Sequence, residues 1–215
     1  MKQSNEMWSK STKAIINGVL LFSVAGVLYP IFNFLKSTAS GLSSVASFVG
    51  ESSSALSGSA LVFTITCYVL LAGIIFGYYL YLNGLANFSL AVNPADSNSV
   101  KKIRTGVILV LLGWGVAFLF GFIPFAGWLG SLANVILCIV AYILMLIEFS
   151  ALKKSTTFPE SARSGASLLF IALILLIIGT ILDLIPLIGW VFMLILSLVG
   201  FILTIIGWKR IKSAA

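Results

Sequence analysis

The chain has no histidine, and only 9% of its 215 residues are charged. The first absence removes the commonest metal ligand and the commonest general base together. The second sets the chain apart from soluble domains, where about 25% of residues carry a charge. The only cysteines, Cys67 and Cys138, both fall inside apolar runs. They read as small packing thiols rather than as a disulfide framework or a metal site. The acidic residues are few and scattered, with no carboxylate pair at acid–base spacing, no GxSxG element and no phosphate-binding P-loop. The chain is therefore expected to be non-enzymatic and to need no cofactor.

What is present is apolar. Hydrophobic residues make up 60% of the chain, more than a domain of this size can hide from water. A helix needs about 20 apolar residues to cross a bilayer. Ala14–Leu35 supplies one span, and Ala60–Leu82 supplies a second that can continue to Ala91. Thr105–Ile147 carries no charge, and Ser164–Trp208 carries only Asp183. Each is about twice the length of one span, so each suits two spans joined by a tight turn. The first apolar run exceeds the roughly 7–15 residues of a signal-peptide core, and an uncleaved anchor is expected there.

A hexapeptide marks the turns. Ile123-Pro124-Phe125-Ala126-Gly127-Trp128 returns as Ile185-Pro186-Leu187-Ile188-Gly189-Trp190. Proline is tolerated in the first turn of a helix, where its missing N–H has no intrahelical partner. Pro124 and Pro186 are thus expected to open the fourth and sixth helices. Gly127 and Gly189 are expected to relieve crowding where backbones meet. Trp128 and Trp190 suit the headgroup level, where an indole buries its ring and still donates its N–H.

The expected fold is an all-α integral membrane protein with six transmembrane helices in three tandem helical hairpins. The second and third hairpins are the clear repeats. The parts are an N-terminal segment 1–13, hairpin one over 14–91, hairpin two over 92–154, and hairpin three over 155–215 with a basic tail. Asn93-Pro94-Ala95-Asp96 and Thr157-Phe158-Pro159-Glu160 each place a capping residue three before an acid. Both resemble capping boxes at the starts of the third and fifth helices.

Of the 13 basic residues, all but Lys36 lie before the first span, after the last, or in the second and fourth connections. By the positive-inside rule these ends are cytoplasmic, and the IPxxGW turns face outward. The expected setting is a bacterial cytoplasmic membrane with both termini inside. The net charge of +7, gathered on one face, should favour anionic lipid headgroups; no nucleic-acid partner is expected. The external connection 36–59, rich in serine, is expected to be a polar loop. Leu42, Val45, Phe48 and Val49 recur there at helical spacing and permit a short interfacial helix instead.

Three polar residues within the apolar stretches are candidate sites, since intramembrane polar groups are functional by default. Glu148 lies at the inner end of the fourth span, within pairing reach of Lys153 or another interfacial base. Asp183, near the outer end of the fifth, is placed to cap the sixth helix. Asn134 lies near the outer end of the fourth. Small residues, among them Gly73, Gly77, Gly200 and Gly207, should let helices pack closely. The function expected is an accessory or scaffold subunit of a membrane complex, with a protein partner or a second copy. The alternatives are an oligomeric channel or small-solute transporter, and a membrane-perturbing effector.

Overall fold

The computed structural model describes residues 2–48, 54–123, 125–182, 185 and 189–214. It contains six helices: α1 Lys2–Phe48, α2 Ser54–Ala91, α3 Pro94–Gly121, α4 Gly127–Lys154, α5 Glu160–Leu182 and α6 Gly189–Lys212. All six are long and apolar enough to cross a membrane, and no strand occurs among the described residues. The protein is thus all-helical, and its helices fit a multi-pass membrane protein.

The first two helices outrun the expectation. α1 has 47 residues, which at 1.5 Å each is about 70 Å, more than twice the roughly 30 Å hydrocarbon core. The described parts of the serine-rich segment 36–59 are accordingly helix, and residues 49–53 lie outside the described residues. Lys36–Phe48 continues α1, and Ser54–Ser59 begins α2. The hydroxyls explain how so many serines stay helical: those of Ser37, Thr38, Ser44 and Ser47 donate to the carbonyls of Asn33, Phe34, Ser40 and Ser44. Their polar atoms are satisfied on the helix itself rather than competing with it.

The chain divides into two compact units. One is residues 17–80, the greater part of α1 and α2. Here Phe22 stacks on Tyr78 with centroids 4.4 Å apart, and Phe32 meets Phe63. A Cβ added at Gly77 would come within 2.6 Å of the Phe22 nitrogen and 3.0 Å of the Gly18 carbonyl oxygen, so the absent side chain is what lets these backbones touch. Gly73, four residues before it, is different. Its nearest neighbour would be Ala25 Cβ at an ordinary 3.5 Å.

The second unit joins residues 1–16 to 81–215. α3 packs on α4, α5 on α6, and α4 on α5. Glycines again set the approach: a Cβ on Gly106 would strike Met145, and one on Gly165 would lie 2.5 Å from the Gly207 carbonyl oxygen. Gly207 faces the same contact from the other side, whereas Gly200 meets the Ala172 carbonyl oxygen at a milder 3.3 Å.

The residues of α3, α4 and α5 that lose all or nearly all contact with solvent lie mostly toward the basic ends. Val100, Ile103, Leu152, Ala162, Ala166 and Leu169 are examples. Toward the other end Phe118, Phe122, Trp128 and Leu132 are exposed. In a bilayer, exposed apolar side chains of this kind can face lipid as readily as protein.

Candidate functional site

At the basic end of the second unit, the N-terminal segment is a structural element rather than a lead-in. Trp8, Ser11 and Thr12 are buried. The Trp8 indole N–H donates to the Ile211 carbonyl oxygen at 2.7 Å, tying the start of α1 to the end of α6. The ring lies edge-on to Phe88 of α2 at 4.8 Å and against Phe158 at 5.7 Å. Trp208 of α6 completes the cluster, edge-on to Tyr81 and Phe88. The Ile211 carbonyl oxygen also accepts from the Ala214 N–H at 3.3 Å, and the indole adds the shorter bond from inside an apolar cluster. Spacing within one segment carries no signal of a partner 203 residues away.

Beside this cluster the two basic connections are joined through a carboxylate. The Asn93 side chain caps α3 by accepting from the Ala95 N–H, as its position suggests. Asp96 does not complete a capping box. It is buried, and it accepts from the Ser155 hydroxyl at 2.6 Å and from the Thr157 hydroxyl at 2.8 Å. Thr157, expected to cap the fifth helix, is thus committed to α3, and α5 begins only at Glu160. Hydrogen bonds to a charged acceptor are stronger than neutral ones, so this carboxylate fixes the 155–159 connection against the start of α3.

Glu148 lies about two turns back along α4 from Ser155. Its carboxylate, with only 6% of the side chain exposed, pairs with the Lys102 ammonium of α3 at 2.8 Å. Lys102 itself is 48% exposed. Lys153, the other base within sequence reach, lies instead over the Phe170 ring at 4.8 Å. The pairing of Glu148 with a base is therefore present, but the base comes from the neighbouring helix.

Asn134 of α4 is half-buried against α3. Gly113 makes room for it, since a Cβ there would lie 2.6 Å from Asn134 Oδ1. That oxygen accepts from the Cys138 thiol at 3.4 Å. Asp183 lies outside the described residues. Among the described residues no three of His, Cys, Asp or Glu come together in a way that could hold a metal ion.

The first hexapeptide turn departs from expectation in two respects. α4 starts at Gly127 rather than in the turn after Pro124; Pro124 itself lies outside the described residues. Phe125 adopts a φ of 62°, and the Ala126 N–H reaches back to the Ile123 carbonyl oxygen. A left-handed residue at this point interrupts the helix, so the helix cannot begin until after it. Nor does Gly127 relieve crowding, because a Cβ there would meet nothing within 4 Å. Gly130, one turn on, takes that role, 2.6 Å from Phe120 Cβ and 3.1 Å from Ala117 Cα. Trp128 is exposed. In the second hexapeptide Gly189 and Trp190 open α6, and Pro186 lies outside the described residues.

No protein-family model matches the chain, and neither a curated protein nor a solved structure matches it.

Proposed function

We propose that the protein is a non-enzymatic accessory or scaffold subunit of a complex in a bacterial cytoplasmic membrane. In this reading its helices form three tandem hairpins, the second and third being repeats. Both termini and the basic connections face the cytoplasm, and the hexapeptide turns face outward. One observation carries the reading. The buried carboxylates, Glu148 and Asp96, lie near the basic ends of their helices, and each is engaged by the chain's own Lys102 or by Ser155 and Thr157. A transport site instead needs polar groups free to bind near the midplane, on broken helices or along a cavity. Satisfied end-groups do the work of fixing helix against helix.

The chain keeps most of its residues in long apolar helices, so it acts chiefly through what it packs against. Native mass spectrometry of the complex extracted in mild detergent tests this directly. A stable second polypeptide is expected. A lone chain or a closed ring of identical copies would count against the subunit reading.

The alternative reading, an oligomeric channel or small-solute transporter, draws on Asn134, whose half-buried carboxamide lies at the α3–α4 seam. Solute or ion flux in liposomes that Asn134→Leu abolishes would favour it.

A further inference from the structure

A groove of about 330 Å³ opens beside the connection between α2 and α3, lined by Ser89, Leu90, Val92, Pro94, Ser97, Asn98 and Lys101. We propose that it holds the phosphate headgroup of an anionic glycerophospholipid. The inference rests on the reading that the chain spans a membrane with its basic ends at one face.

The lining decides the sign of the ligand. Two of its hydroxyls are already spent: Ser97 donates to the Ser89 carbonyl oxygen, and Ser89 to that of Ala86. The remaining polar groups are the Asn98 carboxamide and the Lys101 ammonium, both exposed and three residues apart on α3, hence on one face. No carboxylate lines the groove. The neighbouring acids cannot serve Lys101, because Asp96 is buried under Ser155 and Thr157 and Glu148 is held by Lys102. An ammonium and an amide N–H are thus left facing an opening with no anion of the chain's own to meet them.

The other walls decide the kind of anion. Leu90 is 70% exposed at the groove, and Val92 and Pro94 continue the apolar surface. A free phosphate ion gains nothing from such walls; a lipid, whose glycerol and upper acyl chain adjoin its phosphate, does. The volume lies at the small end of the roughly 300–1,000 Å³ of ligand pockets, suiting a headgroup rather than a whole lipid. The level fits as well, since Lys101 precedes the uncharged stretch that begins at Thr105. Basic pockets at that depth on the cytoplasmic side are where anionic headgroups bind.

The test uses the full chain in mild detergent, with phosphatidylglycerol or phosphatidylcholine of matched acyl chains titrated in and bound lipid counted by native mass spectrometry. Lys101→Gln is compared with Lys154→Gln, which removes another exposed charge elsewhere. Both are surface changes, and a thermal melt verifies folding. The first phosphatidylglycerol should bind in preference to phosphatidylcholine, and Lys101→Gln should weaken it about fivefold, the worth of one interfacial lysine. Lys154→Gln should leave it unchanged.

Equal loss in both variants, or equal binding of the two lipids, overturns the site in favour of diffuse attraction. Displacement by millimolar inorganic phosphate overturns the lipid assignment in favour of a soluble anion. Because the assay needs no bilayer, failure here is separable from failure of the orientation, which labelling of Asn98→Cys in cells reports on its own.

Discussion

Removing Lys102 should harm the protein more than removing Glu148, although the two make one ion pair. In Lys102→Met the carboxylate of Glu148 stays almost fully buried and loses its only ion-pair partner among the described residues. Breaking a fully buried pair from one side costs about 3–5 kcal/mol. Lys102 is half exposed, so water screens part of that interaction, and about 1–3 kcal/mol is the reasonable figure here. In Glu148→Gln the leftover charge is an exposed ammonium that can turn to water or to a headgroup, and the loss should stay below about 1 kcal/mol.

The double variant Lys102→Met/Glu148→Met removes both charges and replaces them with apolar atoms. It should lie close to the parent, since a buried pair exchanged for packed apolar groups is often neutral. For a chain of this size, 1 kcal/mol shifts the melting midpoint by roughly 2–4 °C. Fluorescence-detected melting in detergent can therefore separate the three variants, and the coupling energy follows from the double-mutant cycle. If Glu148→Gln melted as low as Lys102→Met, or if the double variant melted below both single variants, the asymmetry of burial would not be what governs this pair.

Other outcomes follow from the same contacts. Gly77→Ala should cost about 1–3 kcal/mol through overpacking against the Phe22 backbone, while Gly73→Ala should be nearly neutral; melting of the two side by side checks the contrast. Trp8→Phe keeps a ring but loses the bond to Ile211, a loss of about 1 kcal/mol, whereas Trp8→Ala should approach the roughly 3–5 kcal/mol of a deleted core aromatic. Asp96→Ala removes both bonds from Ser155 and Thr157, whose hydroxyls still meet each other, and should lower stability by about 1 kcal/mol, with faster proteolysis at 155–159 as its local signature.

Much of the fold was legible because membrane insertion depends on composition over some twenty residues, and composition is local. Four apolar runs, two of them of double length, gave six spans without any contact being known. Helix ends were less legible, for identifiable reasons. The serine-rich segment 36–59 resembles a loop by composition, but the hydroxyls of Ser37, Thr38 and Ser44 bond back to their own helix. Pro124 signalled a helix start, yet the left-handed Phe125 after it delays the helix to Gly127. The need of Glu148 for a base could be read, though not which base, because Lys102 lies on another helix. The roles of Asp96 and Trp8 lay beyond reach altogether. Their partners are distant in sequence, and both residues sit in segments that look like ordinary polar lead-ins.

The most direct measurement is single-cysteine labelling in a background with Cys67 and Cys138 replaced by alanine. Phe125→Cys reports on the first hexapeptide turn, where the native side chain is 96% exposed. Thr156→Cys and Asn98→Cys report on the two basic connections. With an impermeant maleimide on intact cells, the cysteine at 125 should label at once, and those at 98 and 156 only after the membrane is opened. Labelling of all three from the same side would contradict a chain that crosses the membrane between each basic connection and the turn.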